Sequence, residues 1–105
     1  MKYYAVAEIE VTDRSWVREY VADVTPLVER YGGRYLARTS NVETLEGQRR
    51  TPPLVVLIEW PSREAARAFY ESEEYRPYRE LRLAGARNEF VLVAGEDMTG
   101  TAQSR

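Results

Sequence analysis

Glutamate, tyrosine and arginine are the residue types that can carry chemistry in this 105-residue chain, because it contains no histidine and no cysteine. Their absence excludes Ser-His-Asp triads, thiolate nucleophiles, disulfides, haem on a proximal histidine and zinc sites built from histidine or cysteine. Lys2 is the only lysine, at the flexible start of the chain, which disfavours Schiff-base chemistry. The many arginines remain, and a guanidinium binds planar anions through paired hydrogen bonds.

The overall composition describes one compact domain, with 44% hydrophobic and 30% charged residues. A net charge of -2 argues against nonspecific nucleic-acid binding, which depends on neutralising phosphates. The longest aliphatic run, Leu54 to Ile58, is far shorter than the roughly 20 residues of a membrane-spanning helix. No basic stretch followed by an apolar core opens the chain, so we expect a soluble, cytoplasmic protein without a membrane or nucleic-acid partner.

The first third of the chain predicts a strand followed by a helix. Side chains alternate between two faces over Tyr3 to Val11, and the odd positions are all apolar, which predicts a strand with one fully apolar face. Asp13 is placed to cap a helix whose apolar stripe ends at Gly32-Gly33. Because proline removes a backbone donor, Pro26 predicts a kinked helix in two pieces, with the second piece capped by Thr25.

The rest of the chain predicts three more strands and further helix, in the order strand, helix, strand, strand, helix, strand. The predicted segments are a strand at Arg34 to Arg38 that resumes at Val42 to Leu45, a strand at Leu54 to Trp60, a helix capped by Ser62, a helical stretch from Glu73 to about Ala84, and a strand at Asn88 to Ala94. This order is that of an α+β ferredoxin-like βαββαβ fold with a four-stranded antiparallel sheet. We expect one domain over residues 1–95 and a flexible tail over 96–105.

The strands are apolar on both faces, which predicts a partner. In Leu54 to Trp60, Val55 and Leu57 lie opposite the main apolar face, and Val91 and Val93 repeat this in the last strand. Helices cover one face of such a sheet, so the other is expected to pack against a second copy of the chain. A wide ligand cleft on a monomer is the alternative, although exposed apolar patches of that size are uncommon.

Several blocks of the sequence resemble the domain-of-unknown-function family numbered 1330. The blocks, in family order, are Tyr31 to Arg38, Leu45-Glu46-Gly47, Val56 to Ser62, Tyr70 to Tyr75, and Arg82. The resemblance spans residues 3–95 and implies the dimeric α/β-barrel superfamily, in which two ferredoxin-like subunits form a barrel. That superfamily includes cofactor-independent monooxygenases, muconolactone isomerase-like enzymes, haem peroxidases and noncatalytic stress or regulatory proteins.

The polar residues that match the family pattern form the candidate site. Glu46 and Glu59 are candidate catalytic bases, and Arg38 and Arg82 are candidates to hold a carboxylate or enolate oxygen. Tyr20 and Tyr75 are candidate hydrogen-bond donors, and Trp16 and Trp60 are placed to stack a planar ring in a pocket between the first helix and the sheet. The alternative is that Arg38 and Arg82 form structural ion pairs with Glu46 and Glu59.

Two functions follow from these candidates. The first is a homodimeric, cofactor-independent and metal-free enzyme, similar to the monooxygenases or isomerases, acting on a small oxygenated or carboxylated compound. The second is a noncatalytic module that binds a metabolite in the same pocket. A raised carboxylate pKa inside a closed pocket favours the enzyme, whereas carboxylates in exposed ion pairs favour the module.

Overall fold

A computed structural model gives the structure of residues 1–100, and the last five residues of the predicted tail lie outside this described part. Its elements are β1 (Tyr3–Val11), a 3-10 turn (Arg14–Trp16), α1 (Val17–Arg30), β2 (Arg34–Thr39), β3 (Val55–Trp60), α2 (Arg63–Tyr70), α3 (Arg76–Gly85) and β4 (Ala86–Ala94). The strands form an antiparallel sheet in the order β2-β3-β1-β4. The predicted α+β ferredoxin-like fold is confirmed.

The strand register gives the sheet a helix-covered face and an outer face. On the helix-covered face, Ala5 pairs with Ile58 and Leu92, and Ala7 pairs with Val56 and Phe90. The buried cores join this face to α1, α2 and Tyr75. The outer face carries an apolar strip at the alternate positions: Tyr4, Val6, Leu57, Val91 and Val93. Both faces are apolar, as the sequence predicts.

A bulge in β2 changes which face its later residues occupy. Arg34 lies opposite Glu59 and Tyr35 opposite Ile58, but the register then shifts, so that Arg38 lies opposite Val56. In a regular strand Arg38 would share the outer face with Arg34, because successive side chains alternate. The extra residue therefore turns Arg38 onto the helix-covered face beside Tyr35.

The predicted cap at Ser62 is confirmed, Asp13 caps the 3-10 turn that precedes α1, and the predicted break at Pro26 with a cap at Thr25 is wrong. Asp13 accepts a hydrogen bond from the backbone of Ser15, and Ser62 accepts one from Ala65. Helix α1 passes through Pro26 as one segment. Pro26 and Ala22, whose carbonyl loses its usual donor, are both exposed, so water can satisfy that carbonyl.

The predicted second half of β2, Val42 to Leu45, is also wrong. Residues 40–54 form no strand, and the backbone of Asn41 instead bonds the side chain of Thr39 in a local turn. An antiparallel partner for 42–45 would come from the segment that contains Pro52 and Pro53, and proline cannot donate to a strand ladder. Smaller boundary differences are that β3 begins at Val55, α3 at Arg76 and β4 at Ala86.

The end of α3 packs tightly against the 3-10 turn. The Trp16 Nε1 donates to the Gly85 carbonyl at 3.1 Å, and that carbonyl also accepts the backbone N–H groups of Thr12 and Asp13. A Cβ at position 85 would lie 2.2 Å from the Trp16 Nε1, so only glycine allows this approach. The contact fixes α3 relative to α1 at one wall of the site described next.

Candidate functional site

A cavity of about 180 Å³ lies between α1 and the helix-covered face of the sheet. Its walls are mainly aliphatic and aromatic, and its polar side chains are all tyrosine, arginine or tryptophan. They are Trp16, Tyr20, Tyr35, Arg38, Tyr75 and Arg82. No carboxylate is among its lining residues within the described chain. Cavities of about 150 Å³ accept benzene, so this one suits a compound with a single ring.

Arg82 is the main charge at this cavity, and it is only 1% exposed. Its Nε donates to the Tyr75 hydroxyl at 3.2 Å, its Nη1 donates to Asn88 Oδ1 at 2.9 Å, and its guanidinium lies 5.1 Å from the Phe90 ring centre. The remaining nitrogen, Nη2, is buried and has no hydrogen-bond partner among residues 1–100. No carboxylate in that range forms an ion pair with Arg82, so a buried cation stands without a counter-charge.

Such an arrangement is energetically unfavourable by itself. Burying an ion costs several kcal/mol, roughly, unless an opposite charge and full hydrogen bonding compensate it. A buried donor without an acceptor adds about 1–3 kcal/mol. An acceptor bound in the adjoining cavity, which Arg82 lines, would lower this cost.

A pair of tyrosines connects Arg82 to α1. The Tyr20 and Tyr75 hydroxyl oxygens are 2.5 Å apart, and Tyr75 lies two helical turns before Arg82 on the same side of α3. Tyr20 also packs edge-on against Trp16, with ring centres 5.2 Å apart. Burial is the main cause that raises the pKa of Tyr20 above its usual value, so this hydroxyl keeps its proton at neutral pH.

Arg38 lies at the exposed side of the cavity together with Val21. Its guanidinium carbon is 3.7 Å from the Tyr35 ring centre, and its Nη1 donates to Thr25 Oγ1 at 2.7 Å. Burial raises the pKa of Tyr35 to about 12, with Arg38 opposing that rise. The contacts hold Arg38 at the rim, where a cation can attract an anionic ligand toward the interior.

The two candidate glutamates lie away from the cavity. Glu59 is on the outer face of the sheet, where its carboxylate binds Lys2 Nζ at 2.9 Å and Arg34 Nη2 at 3.3 Å. Hydrogen bonding from Lys2 is the main cause that holds the pKa of Glu59 below its usual value. Glu46 is exposed in the loop between β2 and β3. The structure thus brings Tyr20, Tyr75, Arg38 and Arg82 together, and leaves both glutamates out.

The two tryptophans are separated, and the predicted ion pairs do not form. Trp16 lines the cavity, whereas Trp60 is buried against Phe69 and lines a different groove beside Tyr70 and Arg79. The hypothesis that Arg38 and Arg82 pair with Glu46 and Glu59 is wrong. Arg82 bonds to uncharged groups, and the partners of Glu59 are Lys2 and Arg34.

Asn88 is a site residue that the sequence reasoning missed. Its Oδ1 accepts from Arg82 while its Nδ2 donates to the carbonyls of Arg82 and Ala86, so it fixes the guanidinium from the sheet. Asn88 continues the apolar series of Phe90, Leu92 and Ala94 on the helix-covered face. A polar residue at the start of an apolar face was the available signal.

Residues 1–100 contain neither a membrane-spanning helix nor a cluster of metal-binding side chains. No helix is long and apolar enough to cross a membrane. No group of three or more Asp, Glu, His or Cys side chains is arranged to hold a metal ion.

These features define a class: a ferredoxin-like α+β protein with an apolar cavity that contains a buried arginine. The chain belongs to the family described as domain of unknown function, DUF1330, whose profile matches residues 2–96. The resemblance stated from the sequence blocks is therefore confirmed. No curated protein matches the chain.

Solved structures share this fold at low sequence identity. RPA0582 of Rhodopseudomonas palustris, a protein of unknown function, has a TM-score of 0.75 and 16% identity over 91% of this chain and 83% of its own. A dimeric ferredoxin-like protein of unknown function from Jannaschia sp. CCS1 has a TM-score of 0.68 and 13% identity over 90% and 99%. SnoaB of Streptomyces nogalater, a cofactor-independent oxygenase, has a TM-score of 0.63 and 14% identity over 93% and 96%.

Proposed function

We propose that this protein is a noncatalytic module that binds a small, mostly apolar, oxygen-bearing compound in the cavity between α1 and the sheet. The carrying observation is that Arg82 lines this cavity and that its buried Nη2 has no hydrogen-bond partner in residues 1–100. The apolar walls suit a hydrocarbon ring, and Arg82 suits one oxygen atom on that ring. The size of the cavity limits the compound to about one ring.

The absence of a candidate base from the cavity lining supports binding over catalysis. General-base catalysis requires a group within hydrogen-bond reach of the proton that it removes. Glu59 lies on the opposite face of the sheet in ion pairs, and Glu46 is exposed in a loop. Tyr20, which does line the cavity, keeps its proton because burial raises its pKa.

A cofactor-independent oxygenase or isomerase is the second candidate, and one observation favours it. A fixed guanidinium in an apolar cavity stabilises negative charge on an enolate or phenolate oxygen, and such stabilisation accelerates reactions that pass through these anions. SnoaB, described as a cofactor-independent oxygenase, shares the fold. Oxygen consumption with the bound compound as the only substrate separates this candidate from the module.

We also propose that two copies pair through the outer face of the sheet. Val91 and Val93 are 55% and 46% exposed there, although they belong to an apolar strip that continues through Val6 and Leu57. Ion pairs border this strip at both ends, which suits an apolar interface with a polar rim. The similar Jannaschia protein is described as dimeric.

The binding function is tested by adding benzoate to the wild-type protein and to two variants. The indole N–H signal of Trp16 in an NMR spectrum reports cavity occupancy, and the signal of Trp60, which lines another groove, is the internal control. We expect benzoate to shift the Trp16 signal in the wild type and in Arg76→Met, which removes an exposed arginine of α3, but not in Arg82→Met. Equal shifts in all three proteins would contradict binding at Arg82.

A further inference from the structure

We propose that the cavity selects its ligand by charge, and that it binds an oxygen anion, a carboxylate or a phenolate, in preference to a neutral compound of the same shape. The inference rests on the proposed binding function and adds the ionisation state of the ligand. It follows from a count of the hydrogen-bond donors and acceptors that Tyr20, Tyr75 and Arg82 present to the cavity.

Arg82 supplies the first donors. Its Nε–H is used by Tyr75 and its Nη1 by Asn88, while Nη2 has no acceptor in residues 1–100. A guanidinium has five N–H groups and no acceptor, so Nη2 offers hydrogens only. Because Asn88 and Phe90 fix the other side of the group, Nη2 has a defined direction instead of a flexible one.

The tyrosine pair supplies one more donor. Two hydroxyl groups carry two hydrogens, and the bond between Tyr20 and Tyr75 uses one of them. Tyr75 accepts from Arg82, so that bond uses no hydroxyl hydrogen. One hydroxyl hydrogen is therefore left without an acceptor in the described chain, whichever tyrosine donates to the other. Because the Tyr75 hydroxyl accepts from Arg82, it becomes a stronger donor, so it is favoured to donate to Tyr20. The hydroxyl hydrogen of Tyr20 is then the one that remains for the ligand.

The remaining polar lining supplies no anionic acceptor, and the hydroxyl of Tyr35 interacts with Thr25. The indole N–H of Trp16 is bound to the Gly85 carbonyl, and Arg38 at the rim is a second cation. The ligand thus meets hydrogen donors and positive charge in apolar surroundings. A carboxylate or phenolate oxygen satisfies both, whereas an alcohol or an amide brings hydrogens of its own, for which the lining offers only uncharged hydroxyl oxygens, and leaves the positive charge unneutralised.

This charge preference has a measurable size. A hydrogen bond to a charged group strengthens binding by about 5- to 10-fold more than a neutral one, so the two donors, Nη2 and the Tyr20 hydroxyl, together give an affinity difference of about 10- to 100-fold. By linkage, a phenol that binds 10- to 100-fold more tightly as its anion has its pKa lowered by about one to two when bound. The phenolic proton leaves to the buffer, and the chain itself gains no proton.

The test compares three one-ring ligands: benzoate, benzamide and benzyl alcohol. We expect benzoate to shift the Trp16 indole signal with an affinity about 10- to 100-fold above that of the other two. With 4-nitrophenol, we expect the absorbance of the phenolate to appear at a lower pH in the presence of excess protein. Arg82→Met is expected to remove both effects.

A tyrosine variant tests the hydroxyl donor separately. Tyr20→Phe keeps the ring that packs against Trp16 but removes the hydrogen assigned to the ligand, so benzoate affinity should fall several-fold more than benzyl alcohol affinity. Tyr78→Phe is the matched control, because Tyr78 donates to Asp23 outside the cavity. A merely structural role of Tyr20 would lower both affinities equally, and that result would overturn its assignment as the donor.

The outcomes distinguish this inference from the function on which it rests. Equal affinity for benzoate, benzamide and benzyl alcohol would overturn the charge preference and leave the binding function intact. No response of the Trp16 signal to any of the three at millimolar concentration would overturn both. An unchanged pKa of bound 4-nitrophenol would overturn the preference for the anion even if the phenol binds.

Discussion

The substitution Arg82→Met tests whether Arg82 is retained for ligand binding or for stability. Methionine keeps an unbranched apolar side chain of similar length and removes the guanidinium. For most buried side chains a large change of this kind lowers the free energy of unfolding. We expect little or no loss of stability in Arg82→Met, because the wild-type residue is a buried cation that no carboxylate of the described chain neutralises.

The magnitude follows from the contacts of the guanidinium. Removing it forfeits the bonds to Tyr75 and Asn88, each about 1.5–3 kcal/mol for a charged donor. It also removes the desolvation penalty of a buried ion, roughly several kcal/mol, and the unpaired Nη2. These contributions nearly cancel. The free energy of unfolding of Arg82→Met is expected to lie within about 1 kcal/mol of the wild type or above it.

Urea denaturation at fixed protein concentration measures this difference, and Asn88→Ala provides the contrast. Asn88→Ala leaves the cation in place with one acceptor fewer, so it should be less stable than Arg82→Met by about 1–3 kcal/mol. The double variant should then be more stable than Asn88→Ala alone. A loss of more than about 3 kcal/mol in Arg82→Met, with additive effects in the double variant, would refute the reasoning.

Three other predictions follow from the packing, the outer face and the ion pairs. Gly85→Ala should lower the free energy of unfolding by about 1–3 kcal/mol, since its Cβ overlaps the Trp16 indole; unchanged thermal unfolding would contradict this. Val91→Arg should give monomers by light scattering, whereas Leu83→Arg, on the exposed side of α3, should not. Glu59→Gln should be less thermally stable than the wild type at neutral pH. The pKa of Glu59 in the folded protein is lowered from 4.5, so its ionised carboxylate stabilises the fold above pH 4.5. This stabilisation is lost as the pH falls through the lowered pKa, and the thermal stabilities of Glu59→Gln and the wild type should therefore become equal in acid. An equal difference at neutral and acid pH would argue against the ion pairs as its source.

The parts of the fold that depend on local patterns could be predicted from the sequence. Alternation of apolar residues predicts β1 and a continuous apolar run predicts β3. Asp13 and Ser62 mark the starts of helical segments because their side chains cap free backbone donors. The break expected at Pro26 failed for a reason that the local pattern does not contain. Whether a proline interrupts a helix depends on whether the freed carbonyl reaches water, and that depends on the tertiary environment of the helix.

The candidate site, like the fold, could be predicted from the sequence only where local spacing determines it. Tyr75 and Arg82 are seven residues apart, so a helix places them on one side, and the sequence carries that information. The placement of Arg38 depends on a bulge in β2, which reverses the face expected from alternation. The family pattern together with its residue type makes Glu59 a candidate for the site, but its position opposite Tyr4 and Arg34 places it on the outer face. Spacing predicts which residues of one element share a face, and it does not predict which faces meet.

The position of Asn88 connects the stability argument to the functional one. If Arg82 served only stability, a second polar side chain could accept from its remaining nitrogen. Strand β4 already supplies one such residue, Asn88, whose amide bonds Nη1 and the adjacent backbone. Instead the network holds the guanidinium by two of its nitrogens, Nε and Nη1, and leaves the third without a partner beside a cavity with apolar walls. Rigid positioning of a charge that remains unpaired destabilises the folded chain, and the same rigidity strengthens the binding of an anion, since little side-chain freedom remains to be lost. The proposed binding of an anion would therefore account for an arginine that is buried here without a counter-charge.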